Sequence, residues 1–303
     1  MATRSALGVD VGGTTTKLAV VTADGKVVAD DVFPTNGRGD RSEFTAGLKR
    51  QVGRIRDEAE RKEFPIAGIG VVVAGLLDSK RSRLVYNPNL PSLVGFPLAE
   101  TLEDWFRCPV VLDADSNAAC VGELRFGAGR GSRRLLSLTV GTGLGVGVAV
   151  DGQILRVAQE CLGDAGHVIV QPGGRPCSAG CHGCAEAMVS AGALESWFES
   201  ASGIAAPARE ILALAHSGNE CARMAIEETG RWLGIGIASL ATIFLPDCIV
   251  ISGGISEAGE LLLAPAIESF RACAAPMCSD GVAVLQARFG WRATVIGAAA
   301  MLL

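Results

Sequence analysis

The sequence predicts an α/β chain of two similar halves, and three observations carry that expectation. The first is Leu7-Gly8-Val9-Asp10-Val11-Gly12-Gly13-Thr14-Thr15-Thr16-Lys17-Leu18-Ala19-Val20-Val21, in which an apolar run ends in one carboxylate. Two glycines and three threonines follow before a second apolar run begins. The pattern reads as strand, tight turn, strand, with Gly12 and Gly13 expected to supply positive φ. The second observation is its echo: Leu135 to Val140, a Gly141-Thr142-Gly143 turn, then Leu144 to Val150. The third is a strand ending on small residues later in each half, Val71-Val72-Val73-Ala74-Gly75 and Ile249-Val250-Ile251-Ser252-Gly253-Gly254.

Glycine-rich turns let backbone N–H groups approach an anion closely, and threonine hydroxyls add donors, so both turns read as phosphate cradles. The first is not a Walker A loop, because no Gly-Lys-Ser/Thr closes it and no helix follows. The second is not a dinucleotide fingerprint, since β-branched residues follow it where a helix would be needed. An ordinary hairpin is the alternative for the first stretch. Asp10, beside its turn, suits a water-mediated contact to Mg²⁺. Two such halves facing each other would set two phosphate turns opposite one another. The expected architecture is therefore the duplicated actin/hexokinase-like (ribonuclease H-like) ATPase fold, two domains around a cleft. Residues 1–117 form the small N-terminal domain, completed by a C-terminal helix over 291–303, and residues 118–290 the large one.

In chain order, Asp24-Gly25 is a turn and Val27 to Phe33 a third strand. Ser42 to Phe64 places Phe44, Leu48, Val52 and Ile55 at helical spacing with charges opposite, which predicts an amphipathic helix. Ile66 to Val73 is a buried strand. Tyr86-Asn87-Pro88-Asn89-Leu90-Pro91 cannot be regular helix, because two prolines interrupt it, and it is a candidate substrate wall. Leu98 to Phe106 is a short helix. Val110 to Leu112 is a strand that delivers Asp113-Ala114-Asp115-Ser116-Asn117, with Ser116 or Asp115 able to cap a helix from Asn117 to Phe126. Cys161 to Glu186 is irregular and rich in Gly, Cys and His. Helices resume over Ala187 to Ser200, Ala208 to His216, Cys221 to Phe244 and Glu260 to Ala274. Trp291 to Leu303 is a closing helix expected to return to the first domain.

Composition excludes several classes of function. The 303 residues are 49% apolar and 19% charged, which suits a globular chain of about two domains. A net charge of −5 leaves no basic patch, so nucleic acid is not the expected partner. No apolar run approaches the roughly 20 residues of a bilayer span. The first strand begins within roughly seven residues of the start, so no signal peptide is expected and the protein is read as cytoplasmic. Ten cysteines then read as reduced thiols, and a cluster of them as metal-binding. Cys108, Cys120, Cys161, Cys221, Cys248, Cys273 and Cys278 read as small core residues.

Two clusters carry chemistry. Asp115, at a strand end before a helix, suits a base that takes a hydroxyl proton while the oxygen attacks a γ-phosphate. Helix capping is the alternative, and Asp113 is a competing carboxylate. The second cluster is Gly163-Asp164-Ala165-Gly166-His167 followed by Cys177, Cys181, His182, Cys184 and Glu186. Three thiolates from Cys177, Cys181 and Cys184 with one imidazole from His167 are a ligand set for closed tetrahedral Zn²⁺, a structural ion that would hold the loop over 161–186. Free cysteines in a glycine-rich loop are the alternative.

With these residues in view, the chain resembles the ROK family of sugar kinases (repressor, open reading frame, kinase) over essentially its whole length. The matching pieces are Asp10-Val11-Gly12-Gly13-Thr14, Asn87-Pro88-Asn89-Leu90, Asp115-Ser116-Asn117-Ala118-Ala119-Cys120-Val121-Gly122-Glu123, Gly141-Thr142-Gly143-Leu144-Gly145, Gly166-His167, Gly183-Cys184-Ala185-Glu186 and Ser252-Gly253-Gly254. The resemblance implies ATP-dependent phosphate transfer to a sugar hydroxyl, usually at C6, with Asp115 as base. Asp164, His167 and Glu186 would lie at the sugar C1–C2 side, with Gly75 and Asn89 completing the substrate set. ATP and its Mg²⁺ would meet Asp10, Gly12, Gly13, Thr14, Thr15 and Lys17 in the first half and Thr142 and Gly143 in the second, with adenosine near Gly253 and Gly254. A homodimer without nucleic acid or membrane partners is expected, the helix-turn-helix of the family's repressors having no counterpart ahead of the first strand.

The chain also departs from the family pattern. Ala114 stands where an Asn usually reaches the sugar 3-hydroxyl, Asp164 where Glu is usual, and Ala74-Gly75 where Pro-Gly is usual. The family's Cys-x-Cys-x4-Cys is altered: Ala179 holds the middle position and Cys181 appears instead. Loss of the Asn amide together with Asp113, Asp115 and Asp164 predicts an acidic pocket in which a 3-amino-3-deoxyhexose such as kanosamine is phosphorylated at least as well as glucose. N-acetylglucosamine and N-acetylmannosamine are the competing substrates, and a non-catalytic sugar sensor the competing class of function.

Overall fold

The computed structural model describes residues 4–157 and 164–303. Cys161, Gly163 and the start of the Cys-rich loop at 161–163 lie outside the described residues. The chain divides into two units, one comprising Met1–Arg130, Ile154–Gly163 and Arg292–Leu303, the other Gly131–Gln153 and Asp164–Trp291. The first unit therefore runs past the expected boundary at 117. The helix that begins at Asp115 stays with it because that helix packs on the C-terminal helix of the same unit.

The first unit is built on β1 (Ser5–Val11), β2 (Thr15–Thr22) and β3 (Val27–Pro34), an antiparallel meander of Val- and Thr-rich segments. Helix α1 (Arg41–Arg61) crosses over to β4 (Ile66–Val73), which lies parallel to β1. Asp40 caps α1 by accepting the Ser42 N–H at 2.8 Å, and Phe44, Leu48, Val52 and Ile55 are all buried against the sheet. The helix stops short of Phe64, since Glu63 takes positive φ and Pro65 follows. A small hairpin, β5 (Leu76–Leu77) and β6 (Leu84–Tyr86), precedes α2 (Leu98–Phe106), β7 (Val110–Ala114) and α3 (Asp115–Phe126). The strand order is β3-β2-β1-β4-β7. Asp10 faces Val72 and Val72 faces Asp113 in the parallel register, so the acidic strand ends line up on one edge of the sheet.

The second unit repeats the plan. β8 (Arg134–Val140), β9 (Leu144–Val150) and β10 (Gln153–Ile154) form the meander, and β11 (Cys248–Ser252) and β12 (Ala283–Gln286) add in parallel, in the order β10-β9-β8-β11-β12. Third-second-first-fourth-fifth order in both sheets is the duplicated α/β fold expected from the sequence. Around this sheet run α4 (Ala185–Val189), α5 (Ala191–Ser202), α6 (Ala208–His216), α7 (Glu220–Phe244), α8 (Glu260–Cys273) and α9 (Pro276–Ser279). The helix expected over 187–200 is two helices. Ser190 is extended at the break, and the Ala191 N–H goes to the Gly141 carbonyl at 2.7 Å. The hairpin β5–β6, α9 and the mostly exposed β12 were not expected, being too short to show a period. Among the described residues no helix is long and apolar enough to cross a membrane.

The closing helix, Ala293–Ala300, belongs to the first unit as expected and is buried along most of its length. Its approach is a backbone matter: a Cβ on Gly297 would fall onto the Ala118 carbonyl of α3. Gly297→Ala, which in an exposed helix would stabilise by up to about 1 kcal/mol, is therefore expected to destabilise by about 1–3 kcal/mol through overpacking. A lower midpoint of urea unfolding with unchanged slope checks this, and an unchanged or raised midpoint refutes it.

Candidate functional site

In the first unit, the β1–β2 turn places Thr14 and Thr15 in solvent while Thr16 turns inward to share a hydrogen bond with Thr35 at 2.7 Å. Neither Gly12 nor Gly13 has positive φ, contrary to expectation. They are needed for close approach: a Cβ on Gly13 would sit 2.8 Å from the Cβ of Asn89. Positive φ occurs instead at the strand-end glycines, Gly75 (+105°) and Gly253 (+91°). Asp10 is buried at the end of β1, where its Oδ2 accepts the Thr294 hydroxyl at 2.7 Å and the Lys17 ammonium at 3.3 Å. Thr294 arrives from the closing helix, and nothing near Asp10 in sequence announces it.

The two aspartates beyond β7 have different fates. Asp113 is fully buried and spent: Arg156 grips both carboxylate oxygens at 3.0 and 2.5 Å, Arg81 adds 3.3 Å, and Asn117 donates at 2.8 Å. Its charge is thus not available to a ligand, which removes one of the three carboxylates from the acidic pocket expected at Ala114. Asp115 is the first residue of α3 and not its cap, since the cap position is Ala114 and carries no side-chain hydrogen bond. Its own bond goes to the adjacent Ser116 N–H at 2.8 Å. Burial, and then the neighbouring charge of Asp10, pushes its pKa up to about 7. A half-ionised carboxylate at neutral pH, at a strand end, can accept a proton from a hydroxyl. Asn87, part of the loop expected to form a substrate wall, holds that loop in place. Its amide donates to the Ala74 carbonyl at 2.7 Å and its oxygen accepts the Asn89 N–H at 2.6 Å, leaving Asn89 exposed.

In the second unit, Thr142 is exposed at the tip of the β8–β9 turn. Glu186, at the start of α4, accepts the Leu144 N–H at 3.0 Å, and a Cβ on Gly143 would meet its Oε2 at 2.5 Å. Gly253 and Gly254 follow β11, where Ser252 and Thr139 share a 3.0 Å hydroxyl contact.

The metal cluster assembles with the altered spacing. His167, Cys177, Cys181 and Cys184 place their ligand atoms within 4.8 Å of one another. The His167 Nδ1 lies 3.5 Å from the Cys184 sulfur and 3.6 Å from those of Cys177 and Cys181. A tetrahedral ion with Zn–S and Zn–N bonds of about 2.3 and 2.0 Å requires N···S edges of about 3.5–3.6 Å, so the residues fit Zn²⁺. The other ring nitrogen, Nε2, faces Asp164 at 3.3 Å, the partner that orients a ligating imidazole. Burial pushes the Cys184 thiol up to about 12 and raises that of Cys177, so these groups become thiolates when a cation takes up their charge. Cys181 thus stands in for a cysteine at position 179, where Ala is found.

A family model described as "ROK family" matches residues 6–303. The chain is 33% identical to a glucokinase of Halalkalibacterium halodurans, over 98% of this chain and 94% of that one. Among solved structures it is similar to a ROK family glucokinase of Streptomyces griseus in complex with glucose and AMPPNP, with a TM-score of 0.85, 28% identity and 98% of each chain covered. A ROK hexokinase of Thermus thermophilus is similar at a TM-score of 0.82 and 32% identity, over 98% of this chain and 97% of that one.

Two outcomes follow from this geometry. Because the folded pKa of Asp115 lies above the unfolded value, its contribution to stability is present below about pH 4 and is lost as pH rises through about 7. Asp115→Asn should match the parent in melting temperature at pH 4 and exceed it increasingly up to pH 8; a constant offset across that range would refute the shift. The purified protein should hold about one zinc ion per chain, and a strong chelator should increase proteolysis within 164–186. Elemental analysis finding no zinc would retire the ligand set.

Proposed function

The chain belongs to the ROK family, and on that footing we propose that it is an ATP-dependent sugar kinase that transfers the γ-phosphate to the 6-hydroxyl of a hexose. The observation that carries this reading is the unequal treatment of two neighbouring aspartates. Asp113 is consumed by Arg81 and Arg156, whereas Asp115 is held uncapped at the strand end with its pKa raised to about 7. Asp115 takes the proton of the attacking hydroxyl, and the hydroxyl oxygen displaces ADP from the γ-phosphorus. Asp10, fixed by Thr294 and Lys17, presents a hard oxygen donor suited to the water shell of Mg²⁺, with Gly12, Gly13, Thr14 and Thr15 as phosphate contacts. Bound Mg²⁺ would neutralise the charge of the transferring phosphate. Thr142 and Gly143 supply a second set of phosphate contacts, and Gly253 and Gly254 the adenosine contact. Asp164, His167 and Glu186, with Gly75 and Asn89, are the sugar ligands, and His167, Cys177, Cys181 and Cys184 would hold a Zn²⁺ that fixes the loop bearing the first three.

Glucose is the substrate this geometry favours over an amino sugar. The case for an ammonium at C3 needed a surplus of negative charge, and Asp113 is already met by two guanidinium groups. A cationic substituent would gain little from Asp113. The relative of Halalkalibacterium halodurans is named a glucokinase, which supports the same choice.

The test is ATP consumption with glucose, 3-amino-3-deoxyglucose, N-acetylglucosamine and N-acetylmannosamine under one set of conditions. Glucose should have the highest kcat/KM, and Asp115→Ala should lower kcat by roughly 10²–10⁴ with a smaller effect on sugar affinity. An amino sugar in the lead would overturn the substrate choice. No turnover of any hexose by the parent would overturn the kinase reading in favour of a sugar sensor.

A further inference from the structure

Glu186 touches two parts of the second unit that the proposed function treats separately. Its Oε2 accepts the Leu144 N–H at 3.0 Å and occupies the space that a Cβ on Gly143 would need. Its Oε1 lies 3.4 Å from the Cys177 sulfur, a member of the metal cluster. The helix that carries Glu186 is itself tied to the cluster, because Cys184 is the N-cap of α4 and its sulfur accepts the Ala187 N–H at 3.4 Å. Two further contacts bind the same turn to the same elements. A Cβ on Gly166, next to His167, would fall onto the Leu144 carbonyl, and the Ala191 N–H donates to the Gly141 carbonyl at 2.7 Å. The β8–β9 turn is therefore gripped at both ends by the metal loop and its helices, with the Glu186 side chain spanning the two.

From this grip we infer that the metal cluster governs the nucleotide-phosphate turn through Glu186, which acts as a positioning residue for Thr142 and Gly143 in addition to its place among the sugar ligands. The inference rests on the kinase reading for the statement that this turn receives phosphate. An α4 helix anchored by a ligated Cys184 holds the carboxylate on Leu144, and the carboxylate keeps the turn in one backbone arrangement, ready for the anion without further ordering. By linkage, whatever the metal gives to nucleotide affinity the nucleotide returns to metal affinity by the same factor.

The experiment uses the full chain loaded with Zn²⁺, and measures zinc affinity by competition with a chromogenic chelator, with and without saturating Mg²⁺-AMPPNP and without sugar. The parent should bind zinc about fivefold or more tightly when the nucleotide is present. Glu186→Ala should remove this difference. Glu186→Gln, whose side-chain carbonyl still accepts the Leu144 N–H, should restore most of it. A zinc affinity indifferent to nucleotide in the parent, or an undiminished difference in Glu186→Ala, overturns the proposal. Amide exchange at Leu144 gives a second readout that needs no nucleotide: zinc should slow it in the parent and in Glu186→Gln but not in Glu186→Ala. If AMPPNP fails to bind the loaded parent at all, the kinase reading falls. Leu144 exchange then decides the grip alone, zinc-dependent protection upholding it and zinc-independent exchange refuting it.

Discussion

The first unit depends on a contact that closes almost the whole chain. Thr294 donates to Asp10 across 284 positions, and the helix that begins beside it lies backbone to backbone on α3 at Gly297. Closing so long a loop carries an entropy cost that only a well-packed destination offsets, and this helix is buried along most of its length. The same contact that completes the core sets the rotamer of Asp10. Packing and the proposed metal chemistry of this unit therefore rest on the same few residues.

Electrostatics then separates two aspartates that sequence places side by side. A fully buried carboxylate is tolerated because it is paired and hydrogen-bonded, and Asp113 has two guanidinium groups and an amide. Asp115, without such partners, responds to burial and to the charge of Asp10 by holding its proton more tightly. One strand end thus carries a carboxylate paired by guanidinium groups and, two residues on, one whose pKa is raised, and Arg81 and Arg156 make the difference between them.

In the second unit the corresponding role falls to sulfur and to a glycine. The Cys177, Cys181 and Cys184 sulfurs surround the His167 Nδ1 at distances set by tetrahedral geometry, although the middle cysteine is displaced by two positions from the family pattern. Gly180, with positive φ between Ala179 and Cys181, belongs to a tight turn in which its N–H donates to the Cys177 carbonyl at 2.9 Å and the Cys177 N–H to the Cys181 carbonyl at 2.8 Å. A turn of this kind brings both sulfurs to the same side, so four candidate donor atoms still gather within 4.8 Å of one another despite the change of spacing. Glu186 then reaches from this cluster to a turn that admits it because position 143 has no side chain.

Local pattern was enough for most of the architecture. Ile66–Val73 and Leu98–Phe106 have the bounds expected of them, and the two strand–turn–strand stretches announced a duplicated sheet. Asp115, the two Gly/Thr turns and the cluster of His167, Cys177, Cys181 and Cys184 stood out in the sequence because each is a residue type whose chemistry is readable beside its immediate neighbours. What the sequence could not decide were matters of partners far along the chain. Arg81 and Arg156 lie 32 and 43 positions from the aspartate they neutralise, and Thr294 lies 284 from the one it orients. Whether Gly13 serves positive φ or close approach depended on Asn89, and the break at Ser190 on a carbonyl at Gly141. Periodicity reports which face of an element is apolar; charge pairing and backbone approach are set only when the elements meet, and so the tertiary structure alone determined which of the two carboxylates flanking Ala114 was paired by guanidinium groups.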